Sequence, residues 1–181
     1  VAALSLNVFQ RHTDRVKMAN IAQIVNVLQS MILTDTIGSG HMVLTPTYHV
    51  FSMYKDFQNA TYLPMNVKTD SISVEGGHMY KMEDGKIPAV SISSAKKQDG
   101  TIVISLANTS LDQKQSVELT LDGAQPKKAT GRILTCKNIT DYNDFQHPDV
   151  VSAVDFKDTK IKKNIVKIEV PAKSIIVVNL K

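Results

Sequence analysis

The stretch TIVISLA, residues 101–107, decides the fold class of this chain. Ile102, Ile104 and Leu106 alternate with other residues, so in an extended strand their side chains lie on one face. That face is predicted to belong to the core. Val103 makes the opposite face partly apolar, so the stretch is predicted to be a strand with one core face and a second face that is not fully polar.

The same period of two recurs from residue 61 onward. Further strands are predicted at residues 62–67, 71–74, 89–93, 116–121, 128–136, 165–170 and 174–180. Residues typical of turns lie between these strands, as at Glu83-Asp84-Gly85 and Gln98-Asp99-Gly100. A long loop at residues 138–160 is expected to wrap an edge of the sheets. Many short strands with no helical pattern between them indicate an antiparallel β-sandwich.

The first sixty residues follow a different pattern. Residues 1–12 carry a wide apolar stripe at helical spacing, residues 16–21 suit a short buried strand, and residues 23–28 return to helix-like spacing. A hairpin is predicted at residues 31–45 around Gly38-Ser39-Gly40. A second helix is predicted at residues 46–57, with Thr45 as its N-cap and Pro46 in its first turn.

A helix, a strand and a helix make one unit of an α/β barrel, and one unit cannot close a core by itself. The chain is therefore expected to be the last piece of a larger protein. Residues 1–59 are predicted to be the end of a barrel and residues 60–181 a separate sandwich domain. Since the apolar faces of both helices are expected to pack on that barrel, an isolated chain is expected to expose a patch that drives association.

Composition narrows the function classes. The formal net charge of +4 comes almost entirely from lysine, which favours a solvated surface over a nucleic-acid partner, since base and phosphate recognition relies on arginine. No stretch approaches the roughly 20 apolar residues of a membrane span. The single cysteine, Cys136, excludes an internal disulfide framework and is predicted to pack in a strand. No compartment is predicted.

Residue sets for catalysis are not found. The five histidines fall at no metal-ligand spacing, and the sequence contains no Gly-x-Ser-x-Gly elbow and no phosphate-binding glycine loop. No metal or cofactor is predicted. The glutamates lie in turns or alternating strands and are predicted to be solvated surface: Glu75, Glu83, Glu118 and Glu169.

One polar residue is a candidate by position. If residues 18–22 form a barrel strand, Gln23 emerges at its carboxyl end, where barrel enzymes bind substrate. Its amide both donates to and accepts from a sugar hydroxyl. The alternative is a glutamine that caps the following segment or bridges backbone groups, and the residues alone leave both readings open.

Four runs carry a resemblance: LSLNVFQRH at residues 4–12, DRVKMANIAQ at 14–23, VNVLQ at 25–29 and LTPTYHVF at 44–51. They closely resemble the C-terminal part of α-L-arabinofuranosidases of glycoside hydrolase family 51, with a looser match at residues 143–148 and 170–178. The resemblance implies a (β/α)8 barrel followed by a jelly-roll-like β-sandwich. The loop at residues 35–41 looks longer than is usual in that family.

The resemblance also implies an activity. Such enzymes remove terminal arabinofuranosyl units, from arabinan-type or arabinoxylan-type saccharides, with retention of configuration and without a cofactor. Their two catalytic glutamates would lie upstream of this chain, which is then expected to be inactive alone. By the same resemblance, Gln23 looks like the glutamine that contacts the arabinofuranose, and Asn26 is a second substrate-site candidate, expected to act behind Gln23 rather than on the sugar itself. A homo-oligomer is expected.

Two other functions remain open. A carbohydrate-binding module would hold a saccharide without cleaving it, but such surfaces stack sugars on exposed aromatic rings, and this chain has no tryptophan. A purely structural or oligomerisation domain would need no ligand.

Overall fold

The computed structural model describes residues 1–35, 38–76 and 84–181. The helices are α1 (Ala2–Arg11) and α2 (Pro46–Tyr54), and one turn of 3-10 helix, Lys55–Phe57, follows α2. The strands are β1 (Ile32–Thr34), β2 (Met42–Leu44), β3 (Thr61–Tyr62), β4 (Ser71–Val74), β5 (Gly85–Pro88), β6 (Val90–Lys96), β7 (Ile102–Asn108), β8 (Gln115–Thr120), β9 (Ala129–Thr135), β10 (Val154–Phe156), β11 (Thr159–Lys162), β12 (Ile165–Val170) and β13 (Ser174–Leu180). Within the described ranges, no helix has the length and apolarity that crossing a bilayer requires.

Two antiparallel sheets form the body of the molecule. The larger has six strands in the order β10-β9-β13-β7-β6-β3, and the smaller has three in the order β11-β12-β8. The predicted fold class, mainly β with an antiparallel sandwich, is confirmed. Two hairpins, β1–β2 and β4–β5, lie outside these sheets.

The core between the sheets is aliphatic. β7 and β13 supply Ile104, Leu106, Ile176 and Val178 from the larger sheet, and β12 supplies Val166, Ile168 and Val170 from the smaller one. Each of these side chains is at most 1% exposed. Burial of apolar area on this scale is the main favourable contribution to the folding free energy of the sandwich.

The other face of the larger sheet is covered by the two helices. Ala3 of α1 and Val50, Met53 and Tyr54 of α2 form one buried cluster with sheet residues that include Val103, Ala107, Leu134 and Val177. All seven residues of β7 are consequently buried. The expectation that the apolar faces of the helices pack on a missing barrel is wrong for these residues, because this second face of the sheet is itself apolar and takes them up.

The sides of the helices that point away from the sheet keep apolar surface. Val8 and Phe9 of α1 are 42% and 39% exposed. Phe9, Phe51 and Phe57 line one surface groove with Met18, which is 74% exposed. Part of the expected apolar patch is therefore present, on the opposite side of the helices from the one that packs on the sandwich.

The first sixty residues differ from their predicted pattern between the helices. No strand forms at residues 16–21, because a strand needs a hydrogen-bonded neighbour and no described residue supplies one there. Residues 23–28 form an irregular segment rather than a helix: Val25 bridges Ile32, and Asn26 takes φ +53°, which a right-handed helix does not allow. The hairpin is confirmed as β1–β2, although residues 36–37 at its tip lie outside the described residues. Helix α2 begins at Pro46 with Thr45 as its cap, as predicted.

Strand boundaries in the sandwich follow the predictions closely for β4, β12 and β13. The strand predicted at residues 62–67 is shorter and ends at Tyr62, and Pro64, which has no N–H, follows closely. Strands β5, β10 and β11 were not predicted; β10 lies within the segment expected to be a long edge loop, and β11 begins at its end. β10 does pair along the edge of the larger sheet. The turn at Glu83-Asp84-Gly85 falls partly outside the described residues, and the division of the chain at residue 60 remains a prediction.

Candidate functional site

The segment around Gln23 lies on the surface beside the β1–β2 hairpin. Gln23 is exposed, and the neighbouring Ile24 is held by two backbone hydrogen bonds, since the N–H groups of Met31 and Ile32 each donate to its carbonyl oxygen at 3.0 Å. Val25 forms a parallel bridge with Ile32. The backbone directly after Gln23 is thus fixed to the start of β1, while the side chain of Gln23 stays accessible to solvent.

Asn26, the second candidate for the substrate site, is hydrogen-bonded to β1. Its side-chain nitrogen donates to Thr34 Oγ1 at 2.9 Å, and its side-chain oxygen accepts from the Thr34 N–H at 2.8 Å. Its own N–H donates to the Ile32 carbonyl oxygen at 3.1 Å. The side-chain amide of Asn26 is therefore engaged with β1, and its place in the substrate site remains a prediction.

The hairpin is connected in turn to the second helix. The Thr45 N–H donates to the Met31 carbonyl oxygen at 2.9 Å, and the Thr45 hydroxyl donates to the Ser30 carbonyl oxygen at 2.8 Å. The same hydroxyl accepts from the Tyr48 N–H at 3.4 Å and caps α2. Thr45 thus joins residues 30–31, which lead from the segment around Gln23 into β1, to the helix that packs on the sandwich.

A buried asparagine in the long loop fastens the same hairpin to the sandwich. The side-chain nitrogen of Asn143 donates to the carbonyl oxygens of Leu44 and Val151, at 2.8 and 2.9 Å. Its side-chain oxygen accepts from the Val151 N–H at 2.7 Å. The loop at residues 138–160 consequently fixes the end of β2 rather than simply wrapping an edge.

A buried polar cluster, which we call the Asn7 clasp, joins α1 and α2 to the larger sheet. Asn7, 0% exposed, donates through its side-chain nitrogen to the carbonyl oxygen and the hydroxyl of Ser91, at 3.1 and 3.2 Å. Its side-chain oxygen accepts from the Tyr54 hydroxyl at 2.8 Å and from the Ser105 hydroxyl at 2.6 Å. Burial raises the pKa of Tyr54, which keeps its hydroxyl a donor. Sequence reasoning missed this cluster.

A second polar contact lies near the end of α2. Lys97 Nζ lies 2.8 Å from Asp56 Oδ1, and the Asn179 side-chain nitrogen donates to Asp56 Oδ2 at 2.7 Å. Burial alone would raise the pKa of Asp56, but these two hydrogen bonds outweigh it and lower the pKa. The carboxylate holds the turn after α2 on the larger sheet, and its partners among the described residues include no second acid.

The glutamates that the structure describes lie on the surface, as predicted. Glu118 pairs with Lys167 at 2.7 Å and Glu169 with Lys114 at 3.3 Å, while Glu75 is exposed. Glu83 and His78 lie outside the described residues. Across the described ranges, no three His, Cys, Asp or Glu side chains come together in a group that could hold a metal ion. Cys136 is half-buried, and burial raises the pKa of its thiol.

Two clefts open along the seam between the sheets, beside residues 63–70. Their volumes are about 440 and 420 Å³, and their floors are formed by β6, β7 and β8 residues such as Ile92, Ile104 and Leu119. The residues that line them in the described part of the chain include no aromatic side chain. Because sugar-binding platforms rely on aromatic faces, these clefts give no support to a carbohydrate-binding module.

His49 on α2 is a buried histidine whose Nε2 atom has no partner among the described residues. Burial lowers its pKa, Arg132 lowers it further, and Asp149 opposes them. The unfolded chain, with a histidine pKa near 6.5, therefore takes up a proton before the folded chain does. We expect the free energy of unfolding to decrease as the pH falls below about 6.5, until the lower pKa of the folded state is passed.

Urea unfolding between pH 7.5 and pH 5 measures this effect in the wild type, in His49→Gln and in the exposed-site control His12→Gln. The pH dependence is expected to become weaker in His49→Gln and to stay unchanged in His12→Gln. Equal slopes in all three proteins would show that His49 does not titrate differently in the folded and unfolded states.

Comparison with known proteins shows what the chain is similar to. The family model described as the alpha-L-arabinofuranosidase C-terminal domain matches residues 1–174. An intracellular exo-alpha-L-arabinofuranosidase of Bacteroides ovatus is 49% identical over 99% of this chain and 33% of its own length. The crystal structure of a GH51 arabinofuranosidase from Xanthomonas axonopodis pv. citri is 39% identical, with a TM-score of 0.87, over 99% of this chain and 34% of that one.

A more distant structure shares the fold alone. The thermostable GH51 alpha-L-arabinofuranosidase of Thermotoga petrophila RKU-1 is 23% identical, with a TM-score of 0.83, over 99% of this chain and 37% of that chain. The chain therefore spans about a third of the length of the relatives it matches.

Proposed function

The chain belongs to the family of α-L-arabinofuranosidase C-terminal domains, and from that premise we propose that it acts as the C-terminal region of a retaining α-L-arabinofuranosidase. The parent enzyme removes terminal arabinofuranosyl residues from arabinan-type or arabinoxylan-type saccharides. Two glutamates outside this chain serve as acid/base and nucleophile. Gln23 hydrogen-bonds the arabinofuranose.

The observation that carries this proposal is the placement of Gln23. The residue is exposed, and the backbone of the adjacent Ile24 is fixed by hydrogen bonds from β1. An amide on a fixed backbone suits a sugar hydroxyl, because it offers both a donor and an acceptor at low entropic cost. The described glutamates support the second half of the proposal, since they lie in surface ion pairs or in solvent and form no catalytic pair.

The sandwich then has a supporting role. It holds α1 and α2 through the buried cluster around Val50 and Met53 and through the Asn7 clasp, and these helices keep an apolar outer side that includes Val8 and Phe9. We propose that this outer side is covered by the rest of the parent enzyme, and that the parent is a homo-oligomer. Neither a nucleic acid nor a membrane is a partner in this proposal.

A chimera tests the proposal directly. The region of the Bacteroides ovatus relative that aligns with this chain is replaced by the chain itself, and hydrolysis of 4-nitrophenyl α-L-arabinofuranoside is measured. We expect the chimera to turn over this substrate at a rate near that of the unmodified relative, while the chain alone gives no turnover. A folded but inactive chimera, or an active isolated chain, would overturn the proposed function.

A further inference from the structure

We infer that Asn26 and Thr34 form a two-bond contact, which we call the Asn26 clasp, and that this clasp sets the position of Gln23. Asn26 and Thr34 are then positioning residues for the arabinofuranose contact. This inference rests on the proposed role of Gln23. It gives Asn26, expected to act behind Gln23 in the substrate site, a specific partner and role, and it assigns a role to Thr34, which no sequence pattern singled out.

The geometry of the clasp is reciprocal. The side-chain oxygen of Asn26 accepts from the Thr34 N–H, and its side-chain nitrogen donates to the Thr34 hydroxyl. Two hydrogen bonds between the same two residues fix both distance and orientation, as a single bond would not. Asn26 also takes φ +53°, a conformation that asparagine adopts more readily than most residues. The side chain and the backbone of Asn26 thus both suit this turn.

Packing does not hold this segment in the described chain. Met18, Ile24 and Leu28 are 74%, 54% and 96% exposed. Among the described residues, the position of Gln23 therefore depends mainly on the hydrogen bonds of residues 24–26 to β1. Solvent reaches the clasp, so its bonds contribute little to global stability, and their main effect is on local geometry.

The far side of the clasp is firmly anchored. Thr34 lies on β1, which pairs with β2, and Val43 of β2 is 1% exposed. Asn143 and Thr45 fix the end of that hairpin to the sandwich and to α2. A rigid support on one side and an exposed glutamine on the other is the arrangement expected for a residue that positions a binding group.

The test uses paired variants. Asn26→Gly permits the same backbone conformation but removes both side-chain bonds, and Thr34→Val removes one of them. Asn26→Asp and Thr34→Ser are the conservative partners, since a carboxylate accepts from both the N–H and the hydroxyl, and serine keeps the hydroxyl. Asn59→Gly is the matched control, because Asn59 takes φ +57°, is exposed and makes no side-chain hydrogen bond within the described ranges.

Two readouts are taken. In the full chain, NMR order parameters of the Gln23 backbone are expected to fall in Asn26→Gly and Thr34→Val, with the midpoint of urea unfolding unchanged. In the chimera, kcat/KM for 4-nitrophenyl α-L-arabinofuranoside is expected to fall about tenfold in Asn26→Gly, since small misplacements of a binding group cost this much or more. Asn26→Asp and Thr34→Ser are expected to restore both readouts, and Asn59→Gly to leave them at the wild-type level.

The outcomes separate the two proposals. Wild-type order parameters and kinetics in Asn26→Gly would overturn the clasp. Wild-type kinetics in a Gln23→Ala chimera would overturn the proposed role of Gln23 instead, and the order parameters would still decide whether the clasp holds residue 23.

Discussion

Replacing Gln23 with alanine in the chimera is expected to lower kcat/KM for 4-nitrophenyl α-L-arabinofuranoside about a hundredfold, the scale observed when a fixed hydrogen-bond donor is removed from an active site. The loss arises because a sugar hydroxyl enters the site without a partner, and leaving a polar group unpaired away from water costs about 1–3 kcal/mol. Since Gln23 is exposed in the described chain, the melting temperature should not change.

The control for this variant is Gln113→Ala. Gln113 is also exposed, and its side chain makes no hydrogen bond to the residues that the structure describes. Steady-state kinetics on both chimeras measure the effect, with Gln113→Ala expected at the wild-type level. Gln23→Glu gives a further comparison, because a carboxylate accepts but does not donate. If both Gln23 variants kept full kcat/KM, residue 23 would not contact the sugar.

Local patterns were sufficient for the centre of the sandwich. In β12 apolar and charged residues alternate from Val166 to Val170, and in β13 an apolar run extends from Ile175 to Val178; both strands keep their predicted bounds. The edge strands β10 and β11 are short, and β11 has the sequence TKIK, so their hydrophobic signal is weak. They form because a neighbouring strand supplies backbone hydrogen-bond partners, and the sequence of β10 or β11 alone does not show that such a neighbour exists.

The candidate site could also be predicted only in part from the sequence. Gln23 was predicted from the motif at residues 14–23, and its accessibility fits that prediction without testing it. The environment of Asn26 could not be predicted, because its partner Thr34 lies eight residues away on a hairpin strand. The strand predicted at residues 16–21 was inferred from its apolar residues, but backbone pairing requires neighbours that no described residue supplies.

In the sequence, the Asn7 clasp is indicated only by the position of Asn7 on α1. Asn7 lies four residues after Ala3 on α1, so both residues fall on the same face, and that face is the buried one. A polar side chain on a buried helical face needs partners. Those partners, Ser91 and Ser105, come from strands far along the chain, and only the folded sheet brings them to the helix.

Replacing Asn7 with alanine is expected to destabilise the chain by about 3–5 kcal/mol, a range set by the cavity and by the buried groups left without partners. The Ser91 carbonyl oxygen loses the donor that Asn7 supplies. The hydroxyls of Tyr54 and Ser105 lose the acceptor that lies 2.8 and 2.6 Å from them. Tyr54→Phe removes one of these bonds, and its expected cost is smaller, about 1–2 kcal/mol.

Urea unfolding of the single variants and of the Asn7→Ala/Ser105→Ala double variant measures the coupling. Because Asn7 and Ser105 share a buried hydrogen bond of 2.6 Å, the two losses should not add, and the double variant should be more stable than their sum predicts. Ser73→Ala, at an exposed position on β4, is the control and should change stability by less than about 0.5 kcal/mol. Additive losses at Asn7 and Ser105 would mean that their hydrogen bond carries no coupling energy. A cost for Asn7→Ala no larger than that of the control would mean that apolar contacts alone hold the helices on the sheet.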